Sequence, residues 1–203
     1  MVNLAPLHGG PDAGPEPRYD FSSNANPVGP CPSVLAAIRA ADVSRYPDPA
    51  YTALRARLAD FHGVTPKRII IGAGASELIL RFIRQFQGSI PILGPTFSEY
   101  ARCAQLARKR SYQAENTTDY LRLRRSRRSL GFVCWPNNPT GATWPLEFVA
   151  EAACRGPLVV DLAYAPLCPD GMLARIEAAA RHAIRLYAPN KSFGLTGVRA
   201  AYA

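Results

Sequence analysis

Arg68-Ile-Ile-Ile-Gly-Ala-Gly-Ala-Ser-Glu-Leu-Ile-Leu-Arg-Phe-Ile-Arg-Gln-Phe86 contains one complete structural unit. The apolar run Arg68-Ile-Ile-Ile71 reads as a strand, and Gly72-Ala-Gly-Ala-Ser76 as a turn of small residues. From Glu77 to about Phe86 apolar positions recur with the helical period. Outward from this unit the same alternation repeats. Toward the C-terminus the pattern predicts a strand over 90–93, a helix over 98–107, a weak strand over 111–113 and a strand over 131–135. That last strand ends in Pro136-Asn-Asn-Pro-Thr-Gly141. A helix over 146–154, the strand Leu158-Val-Val-Asp161, a helix over 172–181, a strand over 183–187 and the turn Pro189-Asn-Lys-Ser192 follow. Toward the N-terminus, residues 1–32 are rich in Pro, Gly and Asn and read as an extended arm. A helix over 33–41 with Ser33 as its N-cap, the breaker Arg45-Tyr-Pro-Asp-Pro49 and a helix over 51–61 connect the arm to the alternating region. Short strands alternating with helices predict an α/β domain over 33–203: three layers, α/β/α, around a mostly parallel sheet. The ending, Gly197-Val-Arg-Ala-Ala-Tyr-Ala203, reads as the start of another strand.

Composition limits the function classes. A chain of 203 residues supplies one full domain, with room for a fragment of a second. Its 48% hydrophobic and 19% charged residues exclude a disordered chain. No apolar run approaches the roughly 20 residues of a membrane span, so no membrane partner is expected. The first eight residues, Met1-Val-Asn-Leu-Ala-Pro-Leu-His8, lack the pattern of a secretory signal, which makes the cytoplasm the expected address. The five cysteines form no C-x-x-C pair and, with three scattered histidines, give no support for a metal centre. The net charge of +9 comes from 21 Arg and 3 Lys spread along the chain. The one dense run, Leu121-Arg-Leu-Arg-Arg-Ser-Arg-Arg128, has no interleaved aromatics. It reads as a solvated helix face rather than a nucleic-acid surface. An anionic small molecule would also suit the charge balance.

In open α/β sheets, ligands sit at the carboxyl ends of the strands. The turn after Ile71 offers free backbone N–H groups and the Ser76 hydroxyl, a place where a phosphate could sit. The following strand ends offer Gly94-Pro-Thr-Phe97, Asn137 and Asn138, Asp161 with Tyr164, and Lys191 with Arg199. Singly, Asp161 could be a buried cap and Lys191 a surface amine. Together, polar or aromatic groups at five consecutive strand ends predict a site.

These residues resemble a family, the pyridoxal-phosphate enzymes of the aspartate-aminotransferase fold. The resemblance runs from about His8 to the last residue. It rests on Pro136-Asn-Asn-Pro-Thr-Gly141, Asp161-Leu-Ala-Tyr164 and Lys191-Ser-Phe-Gly-Leu-Thr-Gly-Val-Arg199. Asn24-Ala-Asn-Pro27, Arg45-Tyr-Pro-Asp-Pro49 and Pro95-Thr-Phe-Ser-Glu-Tyr100 are similar to the branch of histidinol-phosphate aminotransferase and threonine-phosphate decarboxylase. His8-Gly-Gly10 and Asp20-Phe-Ser-Ser-Asn-Ala-Asn-Pro-Val-Gly29 lean toward the decarboxylase.

The resemblance implies pyridoxal 5'-phosphate as cofactor, with Lys191 forming its Schiff base. An amine that must be neutral to attack implies a depressed pKa. It further implies that Asp161 faces the pyridine nitrogen, that Asn138 and Tyr164 reach the ring oxygen, and that Phe97 stacks on the ring. Arg199, Ser76 and the amides of Ala75 and Ser76 would hold the phosphate. Tyr46 would reach that phosphate from the second subunit of a homodimer. His8, Gly9 and Asn26 would lie near a small phosphorylated amino-acid substrate. The expected activity is decarboxylation of L-threonine O-3-phosphate in cobalamin synthesis, with amino transfer of the histidinol-phosphate type, or a non-catalytic remnant of the fold, as alternatives. Leu162 stands where relatives carry an acidic residue, and Ala188-Pro-Asn190 where they place a Ser or Thr on the phosphate. Relatives also continue past the arginine strand into a smaller second domain. The chain is therefore expected to stop short of that domain, either as a fragment or as a truncated product.

Overall fold

The computed structural model describes residues 9–10, 14–15, 17–124 and 126–203. Its centre is a five-stranded sheet in the order β3-β2-β4-β5-β6, formed by β2 (Ile90–Leu93), β3 (Ser111–Ala114), β4 (Gly131–Cys134), β5 (Leu158–Asp161) and β6 (Ile184–Leu186). Every pairing within it is parallel. β2, β4 and β5 are buried throughout, the environment that continuous apolar runs such as Leu158-Val-Val require. β3 is a largely exposed edge.

The pleat divides the core in two. Phe132, Cys134 and Val159 face one way, toward α3 (Ala75–Gln85) and α4 (Glu99–Leu106). Val133, Trp135 and Val160 face the other way, toward α5 (Thr117–Leu123), α6 (Leu146–Cys154) and α7 (Met172–Ala179). The helices match this. α3 buries Leu78, Ile79, Phe82 and Ile83, and α6 buries Phe148, Val149, Ala152 and Ala153, one stripe in each case. The result is the three-layer α/β/α architecture expected from the alternation.

The remaining elements flank this core. α1 (Pro32–Arg39) buries no residue and α2 (Thr52–His62) only Ala59. The expected strand over 68–71 is instead a single 3-10 turn, Pro66–Arg68, leading into a short β1 (Ile71–Gly72). β1 pairs antiparallel with β7 (Ala201–Tyr202), the strand anticipated at the chain's end. An antiparallel bridge from Tyr202 to Tyr187 joins β7 to the end of β6. No helix among the described residues is long and apolar enough to cross a membrane.

The arginine-rich run is not a uniform solvated helix face. Arg122 is exposed on α5 and paired with Asp119, but the helix ends at Leu123 and Arg124 is buried. Its guanidinium donates to the carbonyls of Ala152 and Gly156 at the C-terminal end of α6. Cations are favoured there because unsatisfied carbonyls accumulate. A Cβ on Gly131 would run into the Arg124 guanidinium and the Tyr120 hydroxyl, so glycine lets β4 start beside them without displacing either side chain. Removing Arg124 leaves those buried carbonyls without their donor. We expect Arg124→Ala to cost about 1–3 kcal/mol of stability, against a change within about 0.5 kcal/mol for Arg122→Ala, as read from urea unfolding midpoints.

Candidate active site

The carboxyl ends of β2, β4, β5 and β6 open into one cavity of about 610 Å³. Gly9, Ala75, Ser76, Phe97, Asn138, Asp161, Tyr164, Lys191 and Arg199, all expected from the sequence, line it together. His8 lies outside the described residues. Asn26 does not line the cavity; its Nδ2 donates to the Ser192 carbonyl and its backbone N–H to the Lys191 carbonyl, so it clamps the turn that carries the lysine. Tyr46 is fully exposed on the surface and does not line it either.

Asp161 ends β5, pairs in register with Cys134 and is 3% exposed. Its Oδ1 accepts the Ala163 N–H at 3.0 Å and its Oδ2 the Tyr100 hydroxyl at 2.8 Å. Burial pushes the carboxyl pKa up. The two donors and the nearby Lys191 pull it back without cancelling that effect. An isolated buried carboxylate is costly, so this group is poised to pair with a cation entering the cavity.

Lys191 sits on α8 (Pro189–Ser192), the single helical turn after β6. Its Nζ lies 5.9 Å from the centre of the Tyr164 ring. Burial lowers the amine's pKa, the Arg199 guanidinium lowers it further, and Asp161 opposes both. The Tyr164 hydroxyl is pushed up to about 12 by burial and then by Asp161 and Cys134, so it remains a donor at neutral pH. Asn138 Oδ1 accepts from Asn24 Nδ2 at 3.0 Å, which fixes which end of the Asn138 amide is the acceptor.

Across the cavity α3 begins at Ala75, two residues before the sequence suggests, because Gly74 serves as its N-cap at a φ of +98°. That conformation suits glycine. A Cβ at this position would also stand 3.0 Å from Arg199 Nη2. Gly74 thus lets the arginine lie against the first turn of α3, whose leading N–H groups lack helical partners. A guanidinium, a hydroxyl and a helix N-terminus around one space form a phosphate cradle. The donor set fits pyridoxal phosphate: a cradle for its phosphate, a buried carboxylate for a protonated ring nitrogen, and an amine of lowered pKa.

Several lining residues were not singled out from the sequence. Asn24 and Asn190 stood within quoted motifs, where spacing alone gave them no task, and Cys134 within the strand expected over 131–135. Asp20, Ser22 and Thr196 also line the cavity. Asp20 and Ser22 are joined by the Ser22 N–H and hydroxyl, both donated to Asp20 Oδ1.

The family model for aminotransferase class I and II matches residues 17–203, and the chain belongs to that family. A histidinol-phosphate aminotransferase of Geobacter sulfurreducens is 33% identical over 200 residues, spanning 90% of this chain and 56% of the relative. The crystal structure of histidinol-phosphate aminotransferase from Sinorhizobium meliloti in complex with pyridoxal-5'-phosphate superposes with a TM-score of 0.75 at 28% identity. It covers 89% of this chain and 54% of the other. An aspartate aminotransferase of Thermus thermophilus shares the fold, with a TM-score of 0.75 at 24% identity. The chain thus spans about half the length of the relatives it matches.

The opposed charges beside Lys191 make its protonation testable. In the wild type we expect Lys191 to titrate below the ordinary lysine range in pH-dependent amine labelling read by peptide mass spectrometry. Arg199→Gln removes a like charge and should move the titration upward, whereas Asp161→Asn removes an opposite charge and should move it further down.

Proposed function

We propose that this chain binds pyridoxal 5'-phosphate and serves in amino transfer to or from a small phosphorylated amino compound of the histidinol-phosphate kind. One observation carries the reading: the Lys191 amine and the buried Asp161 carboxylate open into the same cavity as a phosphate cradle. When bound, the cofactor supplies an electron sink for the bond broken at the substrate's α-carbon.

The chain's own residues do the rest. Asp161 would keep a proton on the ring nitrogen, since an ion pair there offsets the cost of burying its carboxylate. Lys191, its pKa lowered by burial and then by the Arg199 charge, would take and return a proton at the substrate α-carbon through Nζ. Asn138 and Tyr164 would hold the ring's phenolic oxygen, and Phe97 would cover one ring face. Arg199, the Ser76 hydroxyl and the amides of Ala75 and Ser76 would hold the phosphate. Gly9 would border the substrate, and Tyr46 would act in a homodimer from the neighbouring copy. Asn26 would act through the Lys191 turn rather than on substrate.

The expectation of a phosphothreonine decarboxylase gives way to amino transfer. The similar proteins are named histidinol-phosphate aminotransferases, and this outweighs the lean toward the decarboxylase carried by the stretches that bring Gly9, Gly10 and Asp20 to the cavity. Both reactions would use the same amine, carboxylate and cradle.

The test has two stages. Borohydride treatment of the protein with pyridoxal phosphate should fix the cofactor to the peptide containing Lys191, and Lys191→Ala should abolish that adduct. Incubation with histidinol phosphate and 2-oxoglutarate should then yield glutamate, whereas L-threonine O-3-phosphate should release no carbon dioxide. An adduct on another lysine removes the cofactor reading; carbon dioxide without glutamate restores the decarboxylase.

A further inference from the structure

Tyr100 is a buried polar side chain beside the cavity to which the proposed reaction gives no task. It lies on α4, three residues after Phe97, and is fully buried. Its ring stacks on Phe132 of β4, with centroids 4.8 Å apart and planes 23° apart. The same ring meets Phe97 edge-on at 5.6 Å and 86°. Its hydroxyl donates to Asp161 Oδ2 at 2.8 Å. One side chain therefore touches both the carboxylate and the aromatic ring that flank the space for the cofactor.

The carboxylate is held at both ends. With the Ala163 N–H on Oδ1 and the Tyr100 hydroxyl on Oδ2, it cannot turn about Cβ–Cγ without breaking both bonds. Packing does not require the hydroxyl, because phenylalanine would fill the same volume against Phe132 and Phe97. Placing a phenol in an apolar layer is favourable only where its O–H finds a partner. That partner is the carboxylate.

We propose that Tyr100 is a positioning residue, setting the orientation of the Asp161 carboxylate and the Phe97 ring together as two walls of one slot for a planar pyridine ring. This rests on the cofactor reading above. The other titratable groups facing Asp161 are Cys134 on β4, Tyr164 after β5 and Lys191 on α8. Burial raises the pKa of both Cys134 and Tyr100, leaving a neutral thiol and a phenol that donates rather than ionises. Of these groups, Lys191 is the one able to carry positive charge.

The experiment is a double-mutant cycle on pyridoxal phosphate affinity, measured by equilibrium dialysis of the apo protein for wild type, Tyr100→Phe, Asp161→Asn and the double variant. Tyr100→Phe should weaken binding by about 10-fold or more in the wild-type background, a hydrogen bond to a charged group. It should change binding by less than about 2-fold once Asp161 is neutralised, since nothing is then left to orient. Infrared titration of the apo protein supplies a second readout. Without its donor the carboxyl pKa rises, so the protonated-carboxyl band of Asp161 should persist to higher pH in Tyr100→Phe.

Equal losses in both backgrounds, or an unmoved carboxyl band, would show that the hydroxyl is merely structural. If Asp161→Asn weakens binding and Tyr100→Phe does not, this inference alone fails. If Asp161→Asn leaves affinity unchanged, the cofactor reading falls and takes this one with it. Should Tyr100→Phe not fold, 3-fluorotyrosine at position 100 keeps the shape and sharpens the donor. The carboxyl band should then move to lower pH, and an unchanged band overturns the proposal.

Discussion

The site depends on a carboxylate kept out of water at the end of a central strand. Asp161 occupies that place because β5 lies between β4 and β6, which leaves the side chain only 3% exposed where it meets the cavity. A charge in such a position is costly unless it is hydrogen-bonded and paired. The fold supplies two donors and leaves the electrostatic compensation incomplete, which is why the carboxyl pKa is raised and not lowered. The incompleteness makes the site receptive: a cation placed against Asp161 recovers energy that the apo fold lacks.

The opposite wall follows a different physical logic. There Arg199 and the first turn of α3, which Gly74 opens early, line the cavity with positive charge and unpartnered N–H groups, a surface suited to an anion. A parallel sheet brings the two walls together without special design. All five strands point the same way, so the loops that follow them, and the helix N-termini those loops lead into, gather along one edge. Lys191 stands between the walls. Burial and Arg199 push its proton off while Asp161 holds it on, and the net effect is an amine pKa below the ordinary lysine value.

How much of this was legible in the sequence varies with the range of the interactions involved. The strands Ile90–Leu93 and Leu158–Asp161 and the helix Leu146–Cys154 were readable to the residue, because runs of buried apolar side chains bounded by glycine or proline leave little choice. The start of α3 was misplaced by two residues, since its N-cap is a left-handed glycine and not a Ser, Thr, Asp or Asn. Arg124 was read as solvated because periodicity cannot reveal that α5 ends one residue earlier and that α6 presents two free carbonyls to it. The strand expected over 68–71 is shortened at its start because Arg68 is taken up in the 3-10 turn Pro66–Arg68, and pairing with the C-terminal segment begins only at Ile70, which exchanges both backbone bonds with Ala203. Within the site, the charged and motif-bearing residues were legible, whereas the contacts of Tyr100 and Asn24 were not. Tyr100 meets Asp161 across 61 positions and Asn24 meets Asn138 across 114, distances at which one sequence carries no pairing signal.

The two sides of the cavity also differ in what holds them. Asp161, Cys134 and Phe97 are set by strand ends and by rings packed in the core, so that side of the cavity is held by the core itself. Gly9, Asp20, Ser22 and Asn24 reach the cavity from the arm, which is tied down through a few polar bonds: Asn24 to Asn138, and Asn26 and Cys31 to the Lys191 turn. A rigid wall suits chemistry shared by a whole family, whereas a strapped-on segment can change with little cost to the core. Which bond at the substrate α-carbon is broken depends on which one stands perpendicular to the ring, and only groups that grip the substrate away from the ring can set that angle. Within this chain the arm is the element placed to supply such groups, so a change of reaction between relatives of this fold can be carried by the arm and the rest of the substrate pocket while Asp161, Lys191 and the cradle stay as they are.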